Sequence, residues 1–198
     1  MTAKVEFFEA RARTWEESCY PPEVRRRLEG LLPEFGLRLG EKVLDVGTGP
    51  GILIPYILER IGPTGFIVAF DLARAMTLEA AKKCQAVTAH VLQADVHAIP
   101  CRSAVFDRVL CFAAFPHFDD PSRALSEMAR VLKPGGDLII AHLLSRLELA
   151  RHHASHDDVR RDVLPDAPTM ARLLMDAGFR CQELVDKPGL YLLKATRC

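Results

Sequence analysis

The chain has 198 residues, with 26 Lys and Arg balanced by 26 Asp and Glu. That length suits one domain able to bury a core without staples. The balance leaves no basic surplus of the kind that attracts nucleic acid or an anionic membrane. No apolar stretch reaches membrane-spanning length, and Lys4, Glu6, Glu9, Arg11 and Arg13 interrupt the apolar residues of the N-terminus, so neither an anchor nor a signal peptide is expected. Six cysteines (Cys19, Cys84, Cys101, Cys111, Cys181 and Cys198) are scattered without a C-x-x-C pair or zinc spacing. Most of them read as buried thiols, with no bound metal expected. The expectation is a single cytoplasmic domain, monomeric or homodimeric, that acts on a small molecule and partners neither nucleic acid nor membrane.

In chain order, residues 1–40 read as a helical cap. Strands are expected at 43–46, 66–70, 88–93, 108–112, 138–141, 181–185 and 191–195, alternating with helical patterns as in a βαβ fold with a parallel sheet. A helix should begin at Ile52, carrying Leu53, Tyr56, Ile57 and Ile61. Asp120-Pro121 reads as an N-cap with proline at the first helical position, followed by Ala124, Leu125, Met128, Val131 and Leu132 at helical spacing, and Pro134-Gly135-Gly136 stops that helix. Ser145 and Glu148 form a capping-box pattern, and Met170, Leu173, Leu174 and Ala177 share a face before Gly178. Residues 186–189 are too few for a parallel crossover, so the last strand should run antiparallel.

The densest chemistry lies at Lys42–Gly51, KVLDVGTGPG. Val43, Leu44 and Val46 suit a buried parallel strand, and Gly47, Gly49 and Gly51 permit a tight turn with close approach to a ligand. A dinucleotide loop is G-x-G-x-x-G, with pyrophosphate on the helix N-terminus. Here Ile52 takes the place of the third glycine. Asp45, two residues before the loop, would repel a pyrophosphate and suits a cationic ammonium. S-adenosyl-L-methionine carries such a group; a glycine turn without a ligand is the alternative.

With the second and third strand ends and the run from Arg130 to Gly136, RVLKPGG, the chain resembles the class I S-adenosylmethionine-dependent methyltransferases, specifically their type 11 group, over roughly residues 7–142. The resemblance implies a Rossmann-like α/β fold: a seven-stranded, mostly parallel sheet of order 3-2-1-4-5-7-6 with an antiparallel last strand and helices on both faces. It implies that Asp45 and the loop Gly47, Thr48, Gly49 and Gly51 hold the methionine part of the cofactor. Asp71, beside Leu72, would accept hydrogen bonds from the ribose hydroxyls, and Asp95 and the Val96 amide would meet adenine. Plain alternatives are a helix N-cap for Asp71 and a surface turn for Asp95. Trp15 and Tyr20 would belong to a lid over the cofactor, in a segment with glutamates where the family carries aspartates. The absence of an Asn/Asp-Pro-Pro-Tyr run counts against methylation of amide or nucleobase nitrogens, and Pro50 removes one amide donor from the loop.

Methyl transfer from a sulfonium needs an aligned nucleophile and exclusion of water, with a base only if the nucleophile is protonated. Phe112, Ala113, Ala114, Phe115 and Phe118 suit a dry pocket, with Phe115 on the substrate side, and His117 is the titratable group among them. His142 ends a strand on the ligand-binding side of the sheet, and His152, His153 and His156 follow, the first and last one helical turn apart. His117 and His142 are the catalytic candidates, and His152, His153 and His156 the substrate-binding ones. A packing role for His117, and a solvated helix face or a metal site for the others, are the alternatives. Two other functions compete: a cofactor-binding module without catalysis, and a nicotinamide-dependent oxidoreductase, which Ile52 disfavours.

Overall fold

A computed structural model of the chain describes residues 3–84, 86–155 and 157–198. Seven strands, β1 (Lys42–Val46), β2 (Phe66–Asp71), β3 (Ala89–Gln93), β4 (Phe106–Phe112), β5 (Leu132–His142), β6 (Phe179–Lys187) and β7 (Leu190–Arg197), form one sheet. Its order is β3-β2-β1-β4-β5-β7-β6, with β7 antiparallel to both of its neighbours. The hairpin turn before β7 is tighter than expected, only Pro188 and Gly189.

Alternation along the strands sends side chains to two cores. Leu44 and Val46 join Val109, Cys111, Leu138 and Ile140 beneath α5 (Pro121–Val131) and α7 (Ala167–Asp176). Val43 joins Ile67, Leu110 and Ile139 beneath α2 (Pro22–Leu31) and α3 (Ile54–Ile61). Asp45 shares the parity of Val43 and sits near the end of β1, where the sheet opens. Two further helices complete the site: α1 (Ala3–Cys19) packs Ala12 against Ala73 and Met76 near the start of α4 (Arg74–Ala81).

The helix expected from Ile52 begins two residues later, because Gly51 is left-handed and a turn is spent before Ile54, with Pro55 in the first turn, where its missing N–H costs nothing. Helix α5 ends at Val131 rather than at the Pro-Gly-Gly run. Lys133, preceding Pro134, disfavours helical backbone, so Leu132 is already extended and β5 is longer than expected. The capping box at Ser145 forms in full and starts α6 (Arg146–His153). Because α6 stops at His153, the helical pairing of His152 with His156 does not extend through the helix, and His156 lies outside the described residues.

Candidate functional site

The C-terminal ends of β1, β2, β3 and β4 frame a cleft. Asp45 lies at its floor, 1% exposed, and accepts a 2.6 Å hydrogen bond from the Thr48 hydroxyl. Burial pushes the Asp45 carboxyl up to about 7, only partly countered by that hydroxyl, and the neighbouring Asp71 charge adds to the rise. A buried acid with one hydroxyl partner is a site that a cation would complete.

Asp71 ends β2 and holds the loop in shape: its carboxylate accepts from the Gly49 amide and the Ala73 amide, each at 2.9 Å. Burial raises its pKa against those two amides. It does not cap α4 in the ordinary way, because Ala73 is the N-cap residue. The cap comes from α1 instead: Glu9 accepts from the amides of Arg74, at 2.5 Å, and Ala75, at 2.9 Å. Asp95, after β3, caps the short turn at Val96–Ala98 by accepting from the His97 amide at 2.9 Å, and also accepts from His97 Nδ1 at 2.6 Å. Thus the turn reading holds for Asp95, and the residue lines the cleft as well.

Of the loop glycines, Gly47 and Gly49 line the cleft. Gly51 does not; its φ is +78° and an added Cβ would come within 2.9 Å of Ala80 Cα, so it serves the packing of loop on α4. The expectation that all three approach the ligand is corrected by that contact. Gly47 abuts the loop after β4, where a Cβ would meet Ala114 Cβ at 2.4 Å. In that same loop Ala113 has φ of +56°, a left-handed conformation that costs a non-glycine residue roughly 1–2 kcal/mol. Thr48, Leu72, Asp95, Val96, Trp15 and Tyr20 all line the cleft.

A second cavity adjoins the first, and Phe8, Trp15, Tyr20, Phe112, Ala113 and His117 line both. Its farther wall carries His142, His152 and His153. The structure therefore brings three of the four expected late histidines to the loop histidine His117. His117 and His153 ring centroids are 5.1 Å apart. Phe115 departs from expectation: a 3-10 turn at Phe115–His117 rotates it inward, where it is 1% exposed, packs on Phe118 and lines neither cavity. Phe112 and Ala113 supply the wall instead.

Residues outside the sequence reading hold this region. His117 Nδ1 donates to Asp162 Oδ2 at 2.7 Å, and Lys4 from α1 pairs with Asp162 Oδ1 at 3.1 Å and Asp119 at 2.7 Å. Lys4 also donates to the His117 carbonyl at 2.9 Å. Burial drives the Asp162 carboxyl upward, but the hydrogen bonds and charges of His117 and Lys4 outweigh it, leaving the group below the usual range. His153 Nδ1 donates to the Asp162 carbonyl at 2.6 Å. His142 Nδ1 accepts from the Leu144 amide at 3.1 Å, which places its proton on Nε2. Burial first, then the neighbouring histidines, hold the His142 pKa down to about 3. Among the described residues no three His, Cys, Asp or Glu side chains are placed to hold a metal ion.

The family model for the type 11 methyltransferase domain matches residues 44–140. Two curated relatives are a demethylmenaquinone methyltransferase of Thermus thermophilus, 36% identical over 59% of this chain and 52% of that protein, and the ubiquinone/menaquinone biosynthesis C-methyltransferase UbiE of Cronobacter sakazakii, 27% identical over 73% of this chain and 68% of that one. The chain spans about half the length of the first curated relatives it matches. Among solved structures, a SAM-dependent methyltransferase from Aquifex aeolicus superposes with a TM-score of 0.72 at 27% identity, covering 86% of this chain and 89% of the other. With the sheet order, the acid-glycine loop and the carboxylates at successive strand ends, these likenesses place the chain in the class I S-adenosylmethionine-dependent methyltransferases, type 11 group.

Proposed function

We propose that this protein transfers the methyl group of S-adenosyl-L-methionine to a small-molecule acceptor held in the second cavity. The observation that carries the reading is the shared wall: a cleft with three carboxylates at successive strand ends opens onto a separate, largely apolar cavity through Phe8, Trp15, Tyr20, Phe112, Ala113 and His117. The donor set of the cleft fits the cofactor. Asp45 meets the ammonium, backbone groups of the Gly47–Gly49 loop meet the amino-acid end, Asp71 receives the ribose hydroxyls, and Asp95 and the Val96 amide face adenine. When bound, the sulfonium supplies an electrophilic methyl, so the chain's own work is to orient and to keep water out.

Phe8 and Trp15 of α1 close the cleft from above, and Lys4, Glu9 and Glu16 fasten that helix to the body. Glu16 pairs with Lys83 and with Arg25, the latter at 2.6 Å. At the shared wall His117 Nε2 receives a proton from the acceptor, and the His142 Nε2–H donates a hydrogen bond that fixes the acceptor's pose. His152 and His153 complete the wall. Isothermal titration with S-adenosylhomocysteine tests the cofactor assignment. Wild type should bind, and Asp71→Ala should weaken binding at least about tenfold, the worth of one charge-assisted hydrogen bond. No binding by wild type, or NADH binding in its place, overturns the proposal.

A further inference from the structure

Three imidazoles of the cavity wall, His117, His142 and His153, are held by hydrogen bonds that set their tautomers. A carboxylate only accepts, so His117 carries a proton on Nδ1, and in the neutral ring the lone pair is on Nε2. A carbonyl only accepts, so His153 does the same. His142 is reversed: the Leu144 amide occupies its Nδ1, leaving Nε2–H as a donor. One residue, Asp162, sets the first two, through its side chain and its main chain respectively. In their neutral forms these three rings offer the cavity two acceptors and one donor.

The charges around it select further. Among the described residues the cavity wall contains no carboxylate, and both oxygens of Asp162 are already engaged, by His117 and by Lys4. The wall does contain Arg11, whose guanidinium lies 3.8 Å over the Phe7 ring, and Arg27, which donates to the carbonyls of Leu143 and Gly189. An ammonium would find no counter-charge here and two repulsive ones. A carboxylate would have no proton for His117 to take, and the two guanidiniums that would draw it are already engaged, Arg11 by the Phe7 carbonyl and Arg27 by those of Leu143 and Gly189. A neutral hydroxyl on an apolar body matches the pattern: it donates to His117 and accepts from His142, while its rings meet Phe7, Phe112, Leu149 and Val159.

We propose that the acceptor is an apolar molecule bearing a weakly acidic hydroxyl, a phenol or enol, methylated on that oxygen, and that Asp162 is the positioning residue that fixes His117 as its proton acceptor. The inference rests on the methyltransferase reading. In the step, the hydroxyl oxygen bonds to the methyl carbon as the sulfur–methyl bond breaks and sulfur keeps the electron pair. The hydroxyl proton passes to His117 Nε2, and Asp162 stabilises the resulting imidazolium.

The test uses three probes of one shape, 2-naphthol, 2-naphthylamine and 2-naphthoic acid, titrated into the full chain loaded with S-adenosylhomocysteine. Binding of 2-naphthol at least tenfold tighter than either analogue is expected. Asp162→Asn, whose amide oxygen can still accept from Lys4, should erase that preference by permitting the wrong His117 tautomer, and Asp162→Glu should restore part of it. A merely structural Asp162 would shift all three probes and the cofactor product together. Should Asp162→Asn fail to fold, His117→Gln tests the same preference. Equal or weaker binding of 2-naphthol, including no binding of any probe, overturns the acceptor class. So does an unchanged preference in the Asp162 or His117 variants. Failure to bind S-adenosylhomocysteine in the first place overturns the methyltransferase reading instead.

Discussion

Cofactor binding should depend on pH through one buried carboxyl. Burial lifts the Asp45 pKa from 3.8 to about 7. Between those values the folded protein holds a proton that the unfolded chain has released, so stability falls as pH rises through the window. Binding runs the other way. An ammonium requires Asp45 ionised, and below about pH 7 the proton must first leave. The ionised fraction of a group with pKa about 7 is roughly one half at pH 7 and roughly one hundredth at pH 5. Affinity should therefore rise about fiftyfold between those conditions, or about 2.3 kcal/mol. Trp15, the chain's single tryptophan, lines the cleft and makes its own fluorescence the assay for S-adenosylhomocysteine titrations. Asp45→Asn should bind weakly at every pH and lose the slope. A wild type whose affinity is flat across this range, or an Asn variant with the same slope, refutes the reasoning.

Two further outcomes concern stability alone. Arg108, 4% exposed, pairs with Glu41 at 2.9 and 3.1 Å and with Asp137 at 3.2 Å toward the N-terminal end of β1 and β4, away from the cleft. Arg108→Met should lower unfolding free energy by about 3 kcal/mol in urea titrations, because Glu41 is left poorly compensated, while S-adenosylhomocysteine affinity is kept; a loss below about 1 kcal/mol would contradict that account. Gly51→Ala should destabilise more than Gly49→Ala in thermal melts. Both positions are left-handed, at φ +78° and +54°, but only the first has backbone within 2.9 Å of the new methyl. Equal shifts would mean that the Ala80 contact is easily relaxed.

The fold was legible wherever local rules decide it. The acid-glycine run marked β1 and its turn, a short final connection implied the antiparallel β7, and Ser145 with Glu148 announced α6. The cofactor cleft was legible because strand ends in one sheet collect its carboxylates at sequence positions that a motif can count. The acceptor cavity was only half legible. Histidines could be noticed, but their tautomers depend on Asp162, which lies 45 residues from His117 in a segment without periodicity. Lys4 and Glu9 were equally hidden, since a lid helix signals its face and not the loop or helix end on which it lands. Phe115 misled because an apolar loop residue reads the same whether a 3-10 turn aims it at a ligand or into the core.

Glu9 has a consequence for how the cleft can open. It closes the amide end of α4 from a different helix, and the same turn begins at Ala73, whose amide anchors Asp71. Any movement that lifts α1 hands the Arg74 and Ala75 amides to water and loosens the footing of the carboxylate that shapes the glycine loop. Entry for a ligand and order of the floor beneath it are thereby tied by one side chain. The lid is part of the cleft's foundation as well as its roof.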